Sequence, residues 1–385
     1  MIKILLLIDY SSEFDRKLLR GLVQYSKENG PWLFYRLPSY YSAMHGEQGI
    51  LKWAKEWKAD AIIGQWNNDT IDLQKELNIP VVLQNYHHRS VTYSNLTGDY
   101  KGTGRMAAQF FAKRMFRNFA YFGVKGVVWS DERCEGYRQE VKRIGGEFFS
   151  FESDKQEDEI RMEVSQWLQQ LPKPVALFCC DDAHALFISE TCKMTNIPIP
   201  EEIALLGVDN DELMCNISDP PISSIELEVE RGGYSIGRLI HQQIKKEHEG
   251  TFNIVINPIR IELRQSTEKH NIKDPYILEV VKYIESHYGS DLTIESLLAN
   301  IPLSRRNFEV KFKNALNTSI YQYILNCRCN HLADLLLTTD RPLADLAMEV
   351  GFTDYNNIAR IFKKFKGCSP IAVSYTHLTL PTICS

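Results

Sequence analysis

The chain has 385 residues, of which 44% are hydrophobic and 24% charged, and its formal net charge is −5. These values are ordinary for soluble globular proteins, and the length favours two or three domains. Because the chain as a whole is not a polycation, any nucleic-acid surface must be local. The nine cysteines include no CxxC pair, which argues against a disulfide framework and a structural zinc site. We therefore expect no metal and no cofactor.

The first residues, MIKILLLIDY, predict a buried strand rather than a secretion signal. The apolar run from Ile4 to Ile8 is too short for such a signal, and Asp9 follows where a small cleavage-site residue is needed. No stretch approaches the ~18 apolar residues that cross a bilayer. We expect a cytoplasmic protein with reduced cysteines and no membrane partner.

Strand and helix patterns alternate through residues 1–265. The predicted strands are 2–8, 59–64, 81–83, 118–123, 175–180 and 204–208, and 253–261 is extended. The predicted helices are 15–29, 71–77, 98–115, 134–144, 164–171, 184–195 and 234–246. This alternation predicts parallel sheets with helices on both faces, and the length favours two lobes. In such folds, ligands bind beyond the carboxyl ends of the strands.

The polar run STEKHNIKDP, residues 266–275, is predicted to be a linker to an all-α domain at 276–372. The predicted helices are 276–287, 293–299, 304–316, 320–338, 343–350 and 354–366. Residues 373–385 have no helical stripe, and we interpret them as an atypical, non-native tail.

Two segments of the all-α domain share a helix-turn-helix design. A short helix and a turn precede a capped second helix at Ser304, and Gly351-Phe352 forms the turn of the second unit. In the first unit, Phe308 and Phe312 recur at a four-residue step and should be buried. The predicted outward residues are Arg306, Asn307, Val310 and Lys313 in the first unit, and Tyr355, Asn356, Asn357 and Arg360 in the second. Arg suits guanine edges and Asn adenine, and Lys363 and Lys364 would lie near phosphates. An ordinary helical bundle with solvated charges is the alternative.

The second unit, LADLAMEVGFTDYNNIARIFKKFKGCSP, resembles the signature of the arabinose-regulator-type (AraC/XylS) DNA-binding domain. The resemblance covers residues 276–370. It implies that both recognition helices enter successive major-groove segments of double-stranded operator DNA. By position it places base-reading residues at Arg306, Asn307, Glu309 and Val310, and at Tyr355, Asn356, Asn357 and Arg360.

Residues 1–265 resemble the ligand-binding core of lactose-repressor-type regulators, which is similar to periplasmic sugar-binding proteins. The stretches that carry the resemblance are IDYSSEFDR, LTGDYKGTGRMAAQFF, SDERCEGYR, ALFCCDDAHALF and IALLGVDNDEL. The resemblance implies that Asp209 accepts from sugar hydroxyls and that Arg133 grips the ligand. It further implies ligand contacts by Phe14, Asp15 and Asp181.

Aromatic rings offer a platform for the apolar faces of a sugar. Trp66 and Trp129 are candidates, and a core or lobe-interface position is an equal alternative for both. Asp182 is a candidate cap for the helix predicted from His184.

No GxGxxG, Walker loop, GxSxG or metal-ligand spacing occurs, so an enzyme is disfavoured. A transport binding protein is disfavoured by the appended helical domain. The sequence predicts a sugar-responsive transcription regulator that forms a homodimer and, if it is an activator, contacts RNA polymerase. The order of the two modules resembles xylose-type regulators. Xylose is therefore the leading candidate, with another pentose or a hexose, and repression rather than activation, left open.

Overall fold

The computed structural model describes residues 1–8, 11–37, 39–66, 71–85, 87–247, 250–268, 272, 274–299, 301–316, 318–339, 341–352, 355–366, 369–371 and 373. The described residues divide into two compact units: the first lies within Met1–Ala112 and Arg117–Lys269, and the second comprises Lys113–Phe116 and the described residues after Lys269. Among the described residues, no helix is long and apolar enough to span a membrane.

The first unit is an α/β unit. Its strands are β1 (Ile2–Leu7), β2 (Trp32–Arg36), β3 (Ala61–Gly64), β4 (Val81–Leu83), β5 (Ser94–Gly98), β6 (Asn118–Val124), β7 (Glu147–Ser153), β8 (Val175–Cys179), β9 (Ile203–Val208), β10 (Ser223–Leu227), β11 (Asn253–Ile256) and β12 (Pro258–Glu262). Its helices are α1 (Glu13–Asn29), α2 (Ser39–Trp57), α3 (Leu73–Leu77), α4 (Tyr100–Lys113), α5 (Val128–Arg143), α6 (Glu157–Gln170), α7 (Asp182–Met194), α8 (Glu212–Ile217) and α9 (Val229–Ile244).

The strands form two six-stranded sheets, each the centre of one lobe. The first lobe has the order β11-β5-β4-β3-β1-β2 and the second β12-β10-β9-β8-β6-β7. The pairs are parallel except for β10 with β12, which is antiparallel. The chain passes between the sheets three times: from β5 to β6, from β10 to β11 and from β11 to β12. This arrangement confirms the predicted two-lobed fold with parallel sheets.

Close helix packing fixes α5 against α4 in the second lobe. An added Cβ at Gly136 would lie 2.1 Å from the Lys101 carbonyl oxygen, and one at Gly104 would lie 2.1 Å from the Arg133 carbonyl oxygen. Glycine lets the two backbones meet because it carries no side chain. The backbone of Arg133 is therefore held by helix packing.

Several elements differ from the sequence prediction. Helix α5 begins at Val128 rather than at Cys134, so Trp129 and Arg133 lie on a helix and not in a loop. Strand β5 was not predicted because its sequence, SNLTG, is largely polar, yet Asn95 is buried and bonded to Ser90, Tyr93 and Asn253. Strands β2, β7 and β10 and helices α2 and α8 were also missed.

The predicted linker is shorter in the structure at both ends. Ser266 and Thr267 are buried. The Ser266 hydroxyl donates to the Leu205 carbonyl at 2.6 Å, and Thr267 Oγ1 lies 2.6 Å from Ser223 Oγ. These bonds fasten a 3-10 turn, Gln265–Thr267, to the second sheet. At the other end, Asp274 already caps the next helix through the Tyr276 amide.

The second unit is helical. Its helices are α10 (Pro275–His287), α11 (Ile294–Leu298), α12 (Arg305–Leu316), α13 (Ile320–Thr338), α14 (Leu343–Glu349) and α15 (Tyr355–Lys366). Phe308 and Phe312 of α12 are fully buried, as their spacing predicts. Ile358 and Phe362 of α15 are buried as well. The predicted tail, 373–385, lies outside the described residues except for Val373.

Candidate functional site

A group of polar side chains lies at one edge of the second sheet. Strands β6, β8 and β9 are parallel neighbours, so their carboxyl ends meet at this edge. Asp181 follows β8, Asp209 follows β9, and Arg133 lies on α5, the helix after β6. Ligands of α/β folds bind at such edges.

Arg133 is a buried cation with a prearranged geometry. Its side chain is only 4% exposed, and Nη1 donates to the Cys180 carbonyl oxygen. The guanidinium carbon lies 5.5 Å from the centre of the Tyr100 ring and 5.4 Å from that of Trp129. Aromatic faces attract a cation at these distances. Tyr100 and Trp129 therefore orient the guanidinium.

Asp209 faces this guanidinium without forming a close ion pair. Its Oδ1 lies 3.8 Å from Arg133 Nη2, beyond hydrogen-bonding distance. Burial raises the pKa of Asp209 to about 6, although Arg133 opposes the shift. Both Asp209 Oδ1 and Arg133 Nε are buried and have no hydrogen-bond partner among the described residues. An unpaired buried polar atom costs about 1–3 kcal/mol, so a ligand that supplies a donor and an acceptor is favoured here.

Contacts between the lobes surround this pair. Arg89, which precedes β5, donates to both carboxylate oxygens of Glu132 on α5 at 2.6 and 2.8 Å. Its guanidinium also lies 5.8 Å from the Tyr100 ring centre. From α1, Lys17 Nζ donates to the carbonyl oxygen of Asp209 at 2.8 Å. The pair therefore lies where the two lobes approach each other.

Sequence reasoning missed Tyr100 and Arg89 at this site, and it also missed Gln84, a polar residue of the first lobe. Tyr100 and Arg89 flank β5, the strand that was not identified. Gln84 follows β4, and its Oε1 is buried without a hydrogen-bond partner among the described residues. A polar residue directly after the apolar run of β4 is the signal that identifies such a position from sequence.

Asp181 has a structural role in addition to its place at the sheet edge. Its carboxylate accepts from the His184 amide at 2.8 Å and lies 2.7 Å from His184 Nδ1. Asp181, rather than Asp182, therefore caps α7. Burial alone raises the pKa of Asp181, but His184 outweighs it and the net shift is downward. The side chains of Cys180, Asp181 and His184 each offer a possible metal-ligand atom, and these atoms lie within 4.8 Å of one another. Capping of α7 already explains why Asp181 and His184 lie so close together.

Trp66 does not join the group at the sheet edge. It is 5% exposed and packs in the hydrophobic core of the first lobe with Leu83 and Tyr93. Its indole N–H donates to the Ile71 carbonyl oxygen at 3.3 Å. This placement favours the core position over the stacking role predicted for Trp66, because the ring packs among core side chains.

Phe14 and Asp15 occupy the first turn of α1. Asp15 is 2% exposed, and its amide is bonded to the capping hydroxyl of Ser12. Phe14 is half-buried. Lys17, one turn further along α1, reaches the Asp209 loop, so this turn lies on the first-lobe side of the same region.

The first candidate recognition helix, α12, has four of the predicted outward residues on its exposed face: Arg306, Asn307, Val310 and Lys313. Glu309 is half-buried and accepts from Arg305 Nε at 3.0 Å. Arg305 also donates to Glu295 on α11 at 2.8 Å. These ion pairs neutralise Arg305, and Lys311 is paired with Asp274 at 2.9 Å. Arg306 and Lys313 are exposed cations of this helix with no ion pair among the described residues.

The second candidate recognition helix, α15, is more basic than α12. Arg360, Lys363 and Lys364 are exposed, and Arg360 Nη2 donates to Asn357 Oδ1 at 3.0 Å. The side chains of Tyr355 and Asn356 lie outside the described part of the chain. Gly351, in the turn before this helix, has φ +91, and an added Cβ would lie 2.9 Å from the Tyr288 carbonyl oxygen. The turn between α14 and α15 therefore requires glycine.

Comparison with known families agrees with this division. Residues 108–267 match the periplasmic binding protein-like domain, and residues 297–374 match a helix-turn-helix domain. The helix-turn-helix match contains both α12 and α15.

Relatives share the whole domain order. The chain is 23% identical to the xylose operon regulatory protein of Escherichia coli K12 over 381 residues, which cover 96% of this chain and 95% of that protein. The corresponding protein of Haemophilus influenzae is 24% identical over 376 residues, covering 94% and 95%. The solved structure of a xylose-binding transcription activator superimposes with a TM-score of 0.59 at 21% identity, covering 97% and 98%. The chain therefore joins a periplasmic binding protein-like domain to a helix-turn-helix domain and is a homologue of the xylose operon regulatory proteins.

Proposed function

We propose that this protein is a sugar-responsive, DNA-binding transcription regulator whose effector is a monosaccharide, with xylose as the leading candidate. The observation that carries the proposal is the pairing of buried Arg133 with half-buried Asp209, each of which has a buried polar atom without a hydrogen-bond partner among the described residues. The same chain also contains two helix-turn-helix units. The relatives are transcription regulators, and we propose no enzymatic activity.

The chemistry of the pair suits a sugar. Each sugar hydroxyl is both a donor and an acceptor, so adjacent hydroxyls can donate to Asp209 Oδ1 and accept from Arg133 Nε. Trp129 and Tyr100, beside the guanidinium, offer apolar ring faces to the C–H groups of the ligand. Asp181, Phe14 and Asp15 remain proposed ligand contacts. The names of the relatives favour xylose over other sugars.

A route exists from the Asp209 loop toward the exit of the first unit. Asn210, the next residue, accepts through Oδ1 from Arg264 Nη2 at 2.8 Å. Arg264 immediately precedes the 3-10 turn Gln265–Thr267, and its backbone amide donates to Ser223 Oγ at 2.7 Å. We propose that sugar binding shifts this loop and that Arg264 transmits the shift to the segment that continues into the helical unit.

Both recognition helices are proposed to contact operator DNA. Arg306, Asn307, Glu309 and Val310 of α12, and Tyr355, Asn356, Asn357 and Arg360 of α15, are the proposed base-reading residues. Lys313, Lys363 and Lys364 are the proposed phosphate contacts, because cations on an exposed helix face bind phosphates without regard to sequence. A cytoplasmic homodimer that activates a sugar-catabolic operon through RNA polymerase completes the proposal.

The proposal is tested by measuring sugar and DNA binding on the same preparation. Calorimetric titration with xylose, ribose, arabinose and glucose identifies the effector, and gel shifts on the promoter fragment with and without that sugar measure the response. Asp209→Ala should lose sugar binding and retain sugar-independent DNA binding. Undiminished sugar affinity in this variant would refute the proposed site.

A further inference from the structure

Asp182 is a buried carboxylate next to the proposed sugar site. It is the first residue of α7 and is 2% exposed. Its Oδ2 accepts from the Asp211 amide at 2.8 Å, and its Oδ1 accepts from Ser224 Oγ at 2.6 Å. Both partners come from elements that follow β9 in the chain.

Ser224 also links Asp182 to the loop that follows β9 and contains Asp209 and Asn210. Ser224 is fully buried on β10, and its hydroxyl oxygen accepts from the Asn210 amide at 3.0 Å while the hydroxyl donates to Asp182. The amides of Asn210 and Asp211 are therefore both tied to Asp182, one through Ser224 and one directly. These are the two amides that follow Asp209.

The loop needs such restraint because its backbone is unusual. Asp209 has φ +99 and Asn210 has φ +49, both in the left-handed region that favours glycine. Residues other than glycine persist there only when their surroundings hold them. Gly207 of β9 leaves room for the restraint, since an added Cβ would lie 2.1 Å from Asp182 Oδ1.

We propose that Asp182 is a positioning residue for sugar recognition. It fixes the strained loop so that the Asp209 carboxylate faces the Arg133 guanidinium, and its own oxygens, engaged by Asp211 and Ser224, do not contact the sugar. This inference rests on the proposed function, because it assigns Asp209 to the sugar.

The test compares Asp182→Ala, Asp182→Asn and Ser224→Ala with a matched control, Ser189→Ala. Ser189 also lies on α7, is 4% exposed and forms one buried hydrogen bond, to Ser218 at 2.7 Å. Two quantities are measured: xylose affinity by calorimetry, and hydrogen exchange of the Asn210 and Asp211 amides in the ligand-free protein.

Asp182→Ala should weaken xylose binding about tenfold or more and speed exchange of both amides, because two buried hydrogen bonds to the Asp182 carboxyl group are lost. Asp182→Asn should keep both readouts near their wild-type values. Its side-chain amide can accept a hydrogen bond from the Asp211 backbone amide and donate one to the Ser224 hydroxyl. Ser224→Ala should speed exchange mainly at Asn210, and it carries the test if Asp182→Ala does not fold. Ser189→Ala should change neither readout.

Wild-type xylose affinity in Asp182→Ala, or a loss of affinity in the Ser189→Ala control as large as in Asp182→Ala, would overturn the inference. If the wild-type protein binds none of the monosaccharides, the proposed function fails. The exchange measurement still decides whether Asp182 holds the loop, and unchanged exchange in Asp182→Ala would overturn that claim.

Discussion

Lowering the pH from 7 to 5 should weaken sugar binding through Asp209. Burial is the largest cause of the rise in its pKa to about 6. The charged groups that act on it are Arg133, Asp181, Lys17 and Asp211. Asp182 also lies close to it, but burial raises the pKa of Asp182 well above its usual range. A sugar hydroxyl donates to the ionised carboxylate, so the protonated form is the weaker binder.

The size of the effect follows from that pKa. Between pH 7 and pH 5 the ionised fraction of a group with a pKa of about 6 falls about tenfold, and the apparent affinity for the sugar falls with it.

The effect of pH on stability has the opposite sign. The folded pKa exceeds the ordinary aspartate value of 3.8, so the contribution of Asp209 to the stability of the ligand-free protein rises as the pH falls from 6 toward 4. Weaker binding at pH 5 is therefore not a sign that this site unfolds.

Calorimetric titrations with the identified sugar at pH 7 and pH 5 measure the effect. Asp209→Asn serves as the comparison, because the amide matches the carboxylate in shape and does not titrate. The variant should bind weakly at both pH values and lose the tenfold difference. Equal wild-type affinity at both pH values, or an undiminished pH dependence in Asp209→Asn, would refute the assignment of the acceptor.

Three further variants probe other parts of the account. Arg264→Ala should keep sugar affinity while DNA affinity no longer responds to sugar, as gel shifts with and without sugar would measure. Lys363→Ala should weaken operator binding and reduce the slope of log affinity against log salt by about 1, because one phosphate contact is lost. Gly136→Ala should lower the melting temperature and weaken sugar binding, since its Cβ would meet the Lys101 carbonyl at 2.1 Å and displace α5.

Lys363→Ala has a matched control variant, and each of the three variants has an outcome that would contradict its prediction. Lys193→Ala, an exposed lysine of the first unit, should leave the salt slope unchanged, and an equal reduction there would remove the assignment of Lys363. A normal sugar response in Arg264→Ala would exclude the proposed route through Asn210. If Gly136→Ala has the melting temperature and sugar affinity of the wild type, α5 tolerates the added Cβ and the prediction is wrong.

The sequence was sufficient for features that depend on local periodicity. The four-residue step of Phe308 and Phe312 predicted which face of α12 is buried, and the apolar runs of β8 and β9 predicted the sheet edge that carries Asp181 and Asp209. In these cases, burial depends on the spacing of apolar residues along one element.

The remaining features depend on contacts between distant segments. Strand β5 is polar in sequence, and Asn95 is buried there because its amide is bonded to Asn253, far along the chain. Trp66 and Trp129 were indistinguishable by sequence, and only the packing of the first lobe separates the core ring from the ring beside Arg133. The positioning role of Asp182 likewise depends on Ser224, a residue of a strand that sequence reasoning did not identify.

A gel-shift titration of the full chain on its promoter fragment at physiological salt, with and without xylose, tests whether a sugar bound at Asp209 controls DNA binding. We expect specific binding whose affinity changes with the sugar in the wild type and does not change in Asp209→Ala. Binding that is absent, or that is the same with and without each monosaccharide tested, would contradict it.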